Sequence, residues 1–244
     1  PLAVLAAVRP PLATQEPARP ERPLGPALVA RIERIAVGEE ALREPLARFA
    51  RELVAFQNAA CAAEYLDAVA EVAAVEREIS PGPARLAPAV ARSLFQLTAY
   101  KDEYEVARLM LDAEGLREAR RVAGRTGRIA WRLHPPLLRA LGLRRKLALG
   151  ARAAPLVRLL ARGRVLRGSR LDPFGFTLVR RLERDLPGEY RAAIRSLLAL
   201  LHADQLAEAV RIAELPDRIR GYEGLKLEHI REYRKELHSS LERF

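Results

Sequence analysis

The charged residues whose spacing is most suggestive lie together in residues 99–109 of a 244-residue chain that is otherwise rich in Ala, Leu and Arg. They are Lys101, Asp102, Glu103, Glu105 and Arg108. In one continuous helix, Lys101 faces Glu105 at i+4, and Glu105 faces Arg108 at i+3, which predicts an ion-pair network. This helix is apolar on more than one side, so the charges need partners inside the fold. Either the network only specifies the fold, or one charge faces a ligand or a neighbouring domain.

Two later stretches place charges at predicted turns. In the sequence Leu-Asp-Pro-Phe-Gly-Phe, Asp172 stands directly before a proline, which predicts that it is the N-cap of a helix. Further on, Arg218 and Arg220 lie beside a glycine, and Lys226 follows them. These three residues are the candidates for an anion contact, and a solvated basic turn is the alternative interpretation.

Motifs of known reactions are absent from the sequence. It has no Gly-rich phosphate loop, no His-Glu-x-x-His and no Cys-x-x-Cys. Of the four histidines, only His134, before two prolines, has a constrained local sequence, and a hydrogen-bonded structural role is favoured over that of a general base. The single cysteine, Cys61, excludes an internal disulfide and any all-Cys zinc or iron–sulfur site. The residues alone therefore indicate no reaction and no metal site.

Positive charge is concentrated in the middle of the chain. Residues 117–170 contain sixteen Arg or Lys residues and one acid, a net charge of +15, whereas the rest has 26 basic and 30 acidic residues, a net charge of −4. Such a region is expected to dock an acidic neighbour. It would also attract nucleic acid, but Trp131 is its only aromatic residue, so a base-stacking surface is poorly supported.

The patterning predicts a mainly α fold. Apolar residues recur at helical spacing from Glu39 to about Glu78, a Pro-Gly turn follows, and a second helix runs from about residue 84 to 111. These features predict a multi-helix domain built on a long antiparallel hairpin, with at most one or two short strands near residues 128–133. A lone strand would need a partner, from this chain or another.

The ends of the chain suggest its context. Residues 1–26 are rich in proline and predict a semi-rigid linker from a preceding domain, with a helical accessory domain over residues 27–244. The chain does not begin with Met, so we expect a piece of a longer polypeptide. The sequence has no apolar run long enough to span a membrane, and the single cysteine favours a cytoplasmic location.

Several stretches, in the same order, resemble the C-terminal helical region of the fused bacterial indolepyruvate:ferredoxin oxidoreductases, a branch of the 2-oxoacid:ferredoxin oxidoreductases. They are residues 56–65, 91–109, 132–138, 171–176 and 215–222. The resemblance covers about residue 27 to the end, and the Tyr-Lys-Asp-Glu-Tyr-Glu-Val run is its most specific part. The matching positions are Lys101, Asp102, Glu103, Glu105, Arg108, Asp172, Arg218, Arg220 and Lys226.

The resemblance implies a parent enzyme that converts an aryl 2-oxoacid to an acyl-CoA with thiamine diphosphate and iron–sulfur clusters, and passes electrons to ferredoxin. It implies a non-catalytic accessory domain here, with no cofactor in this chain. The implied partners are other domains or subunits of the oxidoreductase, ferredoxin, the phosphates of CoA, or a second copy in a homo-oligomer, and no membrane. The alternatives are a basic nucleic-acid-binding protein and a helical dimerisation scaffold.

Overall fold

The computed structural model describes residues 23–124, 130–133, 147–150, 153–221 and 223–244. Over these residues the chain forms ten α-helices and two short strands, which confirms the mainly α prediction. In chain order they are α1 Pro26–Ile35, α2 Glu40–Phe56, α3 Ala59–Ile79, α4 Leu86–Thr98, α5 Glu103–Met110, α6 Ala113–Ala123, β1 Ala130–Leu133, β2 Leu147–Gly150, α7 Ala154–Arg162, α8 Leu178–Leu198, α9 Leu206–Ala213 and α10 Glu223–Arg243. None of the described helices is long and apolar enough to cross a membrane.

The described chain divides into two compact units. The first contains Glu103–Arg164, and the second, the two-segment unit, combines Pro23–Asp102 with Val165–Phe244. The predicted domain 27–244 extends over both units. Most of the predicted linker, residues 1–22, lies outside the described residues, and α1 begins at Pro26.

The first arm of the predicted hairpin is two helices rather than one. The chain leaves helical geometry at Asn58, whose side-chain oxygen accepts a hydrogen bond from the Cys61 backbone N–H at 2.9 Å. Asn58 is thus an N-cap that starts α3 in a new direction. The predicted apolar stripe holds only as far as Phe56, because Ala60 is exposed while the buried face of α3 passes through Tyr65 and Val69.

The second arm is also interrupted. α4 ends at Thr98 and α5 begins at Glu103, although a single helix was expected. Lys101 lies in the break and is exposed, so the predicted helical pairing of Lys101 with Glu105 is wrong. The predicted pair between Glu105 and Arg108 is confirmed, with distances of 2.6 and 2.8 Å.

The turn between α3 and α4 is closed by carboxylates. Glu76 is buried near the end of α3 and accepts hydrogen bonds from the backbone N–H groups of Arg85, Leu86 and Ala87 at 2.6, 2.7 and 2.8 Å. Glu39 accepts a further one from Ala84 at 2.8 Å. Because the first N–H groups of a helix have no partner within the helix, these two carboxylates stabilise the start of α4. The helical hairpin of α3 and α4 therefore exists, with shorter arms than expected.

The core of the two-segment unit is a single apolar cluster. α1 and α2 pack on α3, α4 packs on α3, α8 and α9, and α10 packs on α8. α8 runs through Pro187, although proline normally interrupts a helix. Leu186, Tyr190 and Ile194 are buried on its inner face, and this packing offsets the cost of a proline inside the helix.

In the Glu103–Arg164 unit, α5 packs against α7 and the two strands pair with each other. The expected strand near residues 128–133 is present as β1, and its antiparallel partner is β2 of the same chain, with Ala130 opposite Gly150. A Cβ at Gly163 would stand 2.8 Å from the Tyr104 ring, so glycine allows the chain to pass close to α5 there.

Candidate functional site

The charged stretches of the sequence meet in the two-segment unit, in a group that we call the charge cluster: Tyr100, Asp102, Arg167, Asp172, Arg180, Glu183, Arg184 and Lys226. Its first pair joins Asp102 to Arg167 across 65 positions of the chain. Arg167 Nε and Nη2 donate to the two carboxylate oxygens at 2.5 and 2.8 Å. Both side chains are almost fully buried, with 5% of Arg167 and 3% of Asp102 exposed. This geometry is the bidentate arrangement that makes arginine–carboxylate pairs strong.

Arg167 has partners on its remaining sides. Its guanidinium lies over the Phe56 ring, 3.7 Å from the ring centroid, and Nη1 donates to the Phe56 carbonyl and to the Gln57 side-chain oxygen. The Phe56 ring in turn meets Tyr100 edge-on at 5.6 Å. Arg167 therefore links the end of α2 to the break after α4, and its planar cation uses both stacking and a forked hydrogen bond.

A second group forms around Glu183 on α8. This carboxylate is 3% exposed and accepts hydrogen bonds from Arg180, at 2.6 Å, and from the ammonium of Lys226 on α10. Lys226 was predicted to contact an anion. Its ammonium group pairs with the buried Glu183 carboxylate and so connects α10 to α8. Two cationic partners compensate this buried carboxylate, and losing one of them would leave charge uncompensated.

The third group fixes the turn before α8. Asp172 was predicted to cap a helix, but α8 begins only at Leu178, with Thr177 as its N-cap. The Asp172 carboxylate instead accepts hydrogen bonds from the Gly168 and Phe174 N–H groups at 3.0 and 3.1 Å. Arg184 approaches this carboxylate to 3.5 Å. A proline after Asp172 is compatible both with the start of a helix and with a non-helical turn, and this ambiguity explains the wrong prediction.

Tyr100 shows that these groups belong together. Burial raises the pKa of its hydroxyl, the charges of Asp102 and Glu183 raise it further, and Arg167 and Arg184 oppose the rise. The carboxylates of the cluster each accept hydrogen bonds and stand next to a cation. Such an arrangement holds segments in position, since its oxygens and N–H groups are engaged with one another.

The other predicted residues lie elsewhere. Arg218 is exposed and pairs with Glu236, and Arg220 donates to the Asp217 carbonyl at 2.8 Å. They therefore do not join Lys226 in one constellation, and the anion contact stays a prediction. In the first unit, Glu103 opens α5 as a buried residue, and the Glu105–Arg108 pair follows within the same helix. His134 lies outside the described residues.

The sequence interpretation missed five of the eight cluster residues: Tyr100, Arg167, Arg180, Glu183 and Arg184 were not candidates. Arg167 lies in an arginine-rich region, and no local pattern distinguishes it from its neighbours. Glu183 carries a weak signal, because it lies between Leu182 and Leu186, which have helical spacing. Within the described residues, no group of three or more His, Cys, Asp or Glu side chains could hold a metal ion. Cys61 is half-buried, and burial raises the pKa of its thiol.

Comparison with known proteins gives one result. No curated protein and no solved structure matches the chain. A protein-family profile matches residues 42–239, which is most of the chain and includes the whole charge cluster. The family is described as a family of unknown function, DUF6537. The chain belongs to this family.

Proposed function

We propose that the chain is an accessory and interface domain of an indolepyruvate-type 2-oxoacid:ferredoxin oxidoreductase, and that it supports the parent enzyme without catalysing a step. One observation carries the proposal: the stretches that resemble this enzyme family contribute Tyr100, Asp102 and Asp172 to one buried, ion-paired cluster, which Lys226, four residues after the last stretch, also joins. Residues that hold distant segments together are what a scaffold requires.

The iron–sulfur clusters of the parent do not fit the residues of this chain. A single cysteine cannot supply the several thiolates that an iron–sulfur cluster needs. Thiamine diphosphate, the clusters and CoA are assigned by the proposal to other parts of the parent. The basic region is assigned to contact with acidic surfaces there, where opposite charge speeds association and sets orientation.

The test compares three preparations of the oxidoreductase: the intact enzyme, the enzyme without this chain, and the latter with the chain added back. Reduction of ferredoxin is measured with an aryl 2-oxoacid and CoA. We expect no turnover by the isolated chain, reduced activity or assembly without it, and recovery after addition. Ferredoxin reduction by the isolated chain alone would contradict the proposal.

Nucleic-acid binding is the second candidate, because residues 117–170 carry a net charge of +15. Phosphate contacts of this kind weaken steeply as salt rises. Filter binding of a labelled duplex and a labelled single strand at low and physiological salt tests it. Absence of binding at low salt excludes this candidate and leaves the accessory role in place.

A further inference from the structure

Large apolar side chains are unusually exposed in one short part of the two-segment unit. Between residues 165 and 178, Val165, Leu171, Phe176 and Leu178 are 76%, 75%, 63% and 58% exposed. Leu171 and Phe176 directly flank a turn closed by a hydrogen bond from the Gly175 N–H to the Asp172 carbonyl. The two exposed side chains are therefore presented at the two ends of one tight turn. We call residues 170–178 the apolar loop.

The apolar loop is held more firmly than an exposed connection requires. The buried Asp172 carboxylate accepts hydrogen bonds from two backbone N–H groups, and Arg184 Nη2 donates to the Gly175 carbonyl at 2.6 Å. A Cβ at Gly175 would stand 2.7 Å from Arg184 Nη1 and 2.9 Å from an oxygen of Asp172. Because these contacts fix the loop before any partner arrives, little conformational entropy is lost on binding.

Basic residues predominate around the loop: residues 165–185 contain five arginines and three acids, of which only Asp185 is exposed. The other two acids, Asp172 and Glu183, are buried beside arginines. Arg170 and Arg181 are exposed on the two sides of the apolar residues. The surface offered to a partner is therefore apolar at its centre and basic at its rim, a pattern typical of interface anchors.

We propose that the apolar loop inserts Leu171 and Phe176 into an apolar recess of an acidic protein surface, with Arg170 and Arg181 facing carboxylates at the rim. The inference rests on the proposed function, which makes this surface a neighbouring part of the parent oxidoreductase. A second copy of the chain fits less well, since a two-fold interface through this loop would bring the same arginines together. Two side chains on a short loop also give little area for membrane anchoring.

The experiment measures binding of the full chain to the purified oxidoreductase that lacks it, by biolayer interferometry. We expect Phe176→Ala to weaken binding about tenfold or more, as for an aromatic anchor, and Leu171→Ala to weaken it in the same direction. Leu200→Ala is the matched control, because Leu200 is similarly exposed, at 58%, outside the loop. The double variant Arg170→Glu/Arg181→Glu is expected to slow association most at low salt.

The outcomes separate the two proposals. If the wild-type chain does not bind, the proposed function fails and the inference fails with it. If the wild-type chain binds and Phe176→Ala binds equally well, only the loop inference is overturned. It is also overturned if Phe176→Ala abolishes self-association in sedimentation runs, or binding to phosphatidylserine vesicles, without changing affinity for the oxidoreductase. Thermal unfolding checks that each variant is folded, and an exposed Phe176 predicts an unchanged midpoint.

Discussion

Arg167 shows how one side chain can join three parts of a fold. It stacks on Phe56 and forms a forked pair with a buried Asp102. A buried pair of this kind contributes little relative to an apolar substitute, but breaking it by removing one member strands the other. The stability lost in each variant therefore depends on which charged side chain stays buried without its partner.

Asp102→Ala is expected to lower the free energy of unfolding by about 3–5 kcal/mol, because Arg167 stays buried without its carboxylate. Urea unfolding measures the change. Asp67→Ala is the control, since Asp67 forms an ion pair with Arg31 while 55% exposed, and about 1 kcal/mol or less is expected there. Equal losses in the two variants would contradict the assigned role. The double variant Asp102→Ala/Arg167→Met should lose less than Asp102→Ala alone.

Substituting phenylalanine for either of two buried tyrosines is expected to change stability in opposite directions. The Tyr190 hydroxyl donates to the Ala213 carbonyl at 2.8 Å, whereas the buried Tyr233 hydroxyl has no hydrogen-bond partner among the described residues. Tyr190→Phe is expected to cost about 1 kcal/mol, and Tyr233→Phe to be neutral or stabilising by about 1 kcal/mol. Chemical denaturation of both variants checks the contrast. A larger loss from Tyr233→Phe than from Tyr190→Phe would show that this account of the core is wrong.

The sequence predicted an ion pair only where its two residues are close in the chain. The pair between Glu105 and Arg108 follows from a spacing of three in a helix. The partner of Asp102 does not, because Arg167 is 65 positions away and chemically identical to many residues around it. Long-range ion pairs depend on how helices pack, and that information is spread over the whole apolar pattern.

At the scale of elements, the main differences from prediction are the two helix breaks. The helical period of apolar residues continues across Gln57 and Asn58, so periodicity alone predicts one helix. A capping signal was nevertheless present, since Asn58 stands directly before a run rich in alanine. The break after Thr98 has no comparable signal, because its buried Tyr100 and Asp102 are explained only by partners distant in sequence.

Asn58→Ala is expected to destabilise the protein by about 1 kcal/mol, since the Cys61 N–H loses its acceptor and the first turn of α3 frays. Asn58→Asp keeps an acceptor and adds a negative charge at the helix start, so its stability should stay close to that of the wild type. Hydrogen exchange of the Cys61 amide gives the local readout. Unchanged protection of this amide in Asn58→Ala would contradict the capping role.

At the scale of the whole molecule, the fold class could be predicted and the division of the chain could not. Helical periodicity is a local property, and it correctly indicated a mainly α chain. The two-segment unit combines residues before and after the Glu103–Arg164 unit, and the linear sequence carries no boundary signal at Asp102 or Val165. The accessory role, the acidic neighbour and the oxidoreductase parent remain predictions.

Buried tyrosines also make stability depend on alkaline pH. Burial raises the pKa of Tyr65, Tyr100, Tyr190 and Tyr233 above the ordinary value of about 10. Above that value the unfolded chain loses these protons and the folded chain keeps them. Stability is therefore fully present below about pH 10 and falls as pH rises, by about 1.4 kcal/mol per pH unit for each tyrosine.

Denaturant unfolding at a series of pH values above 9 measures this slope. Tyr233→Phe should reduce this pH slope by the contribution of one tyrosine. Its stability at neutral pH should be unchanged or slightly higher. A slope identical to that of the wild type would mean that Tyr233 ionises equally in the folded and unfolded chains.

The scarcity of lysine gives the ion pair between Lys226 and Glu183 a practical consequence. The sequence has four lysines, of which Lys101 and Lys235 are exposed, while Lys226 is hydrogen-bonded to a carboxylate that is itself 3% exposed. Acylating reagents react with amines that are accessible to them, so Lys226, which is held against the Glu183 carboxylate, should react more slowly than Lys101 and Lys235. Mass spectrometry of partly acylated protein would then report, at a single natural residue, how often α10 separates from α8.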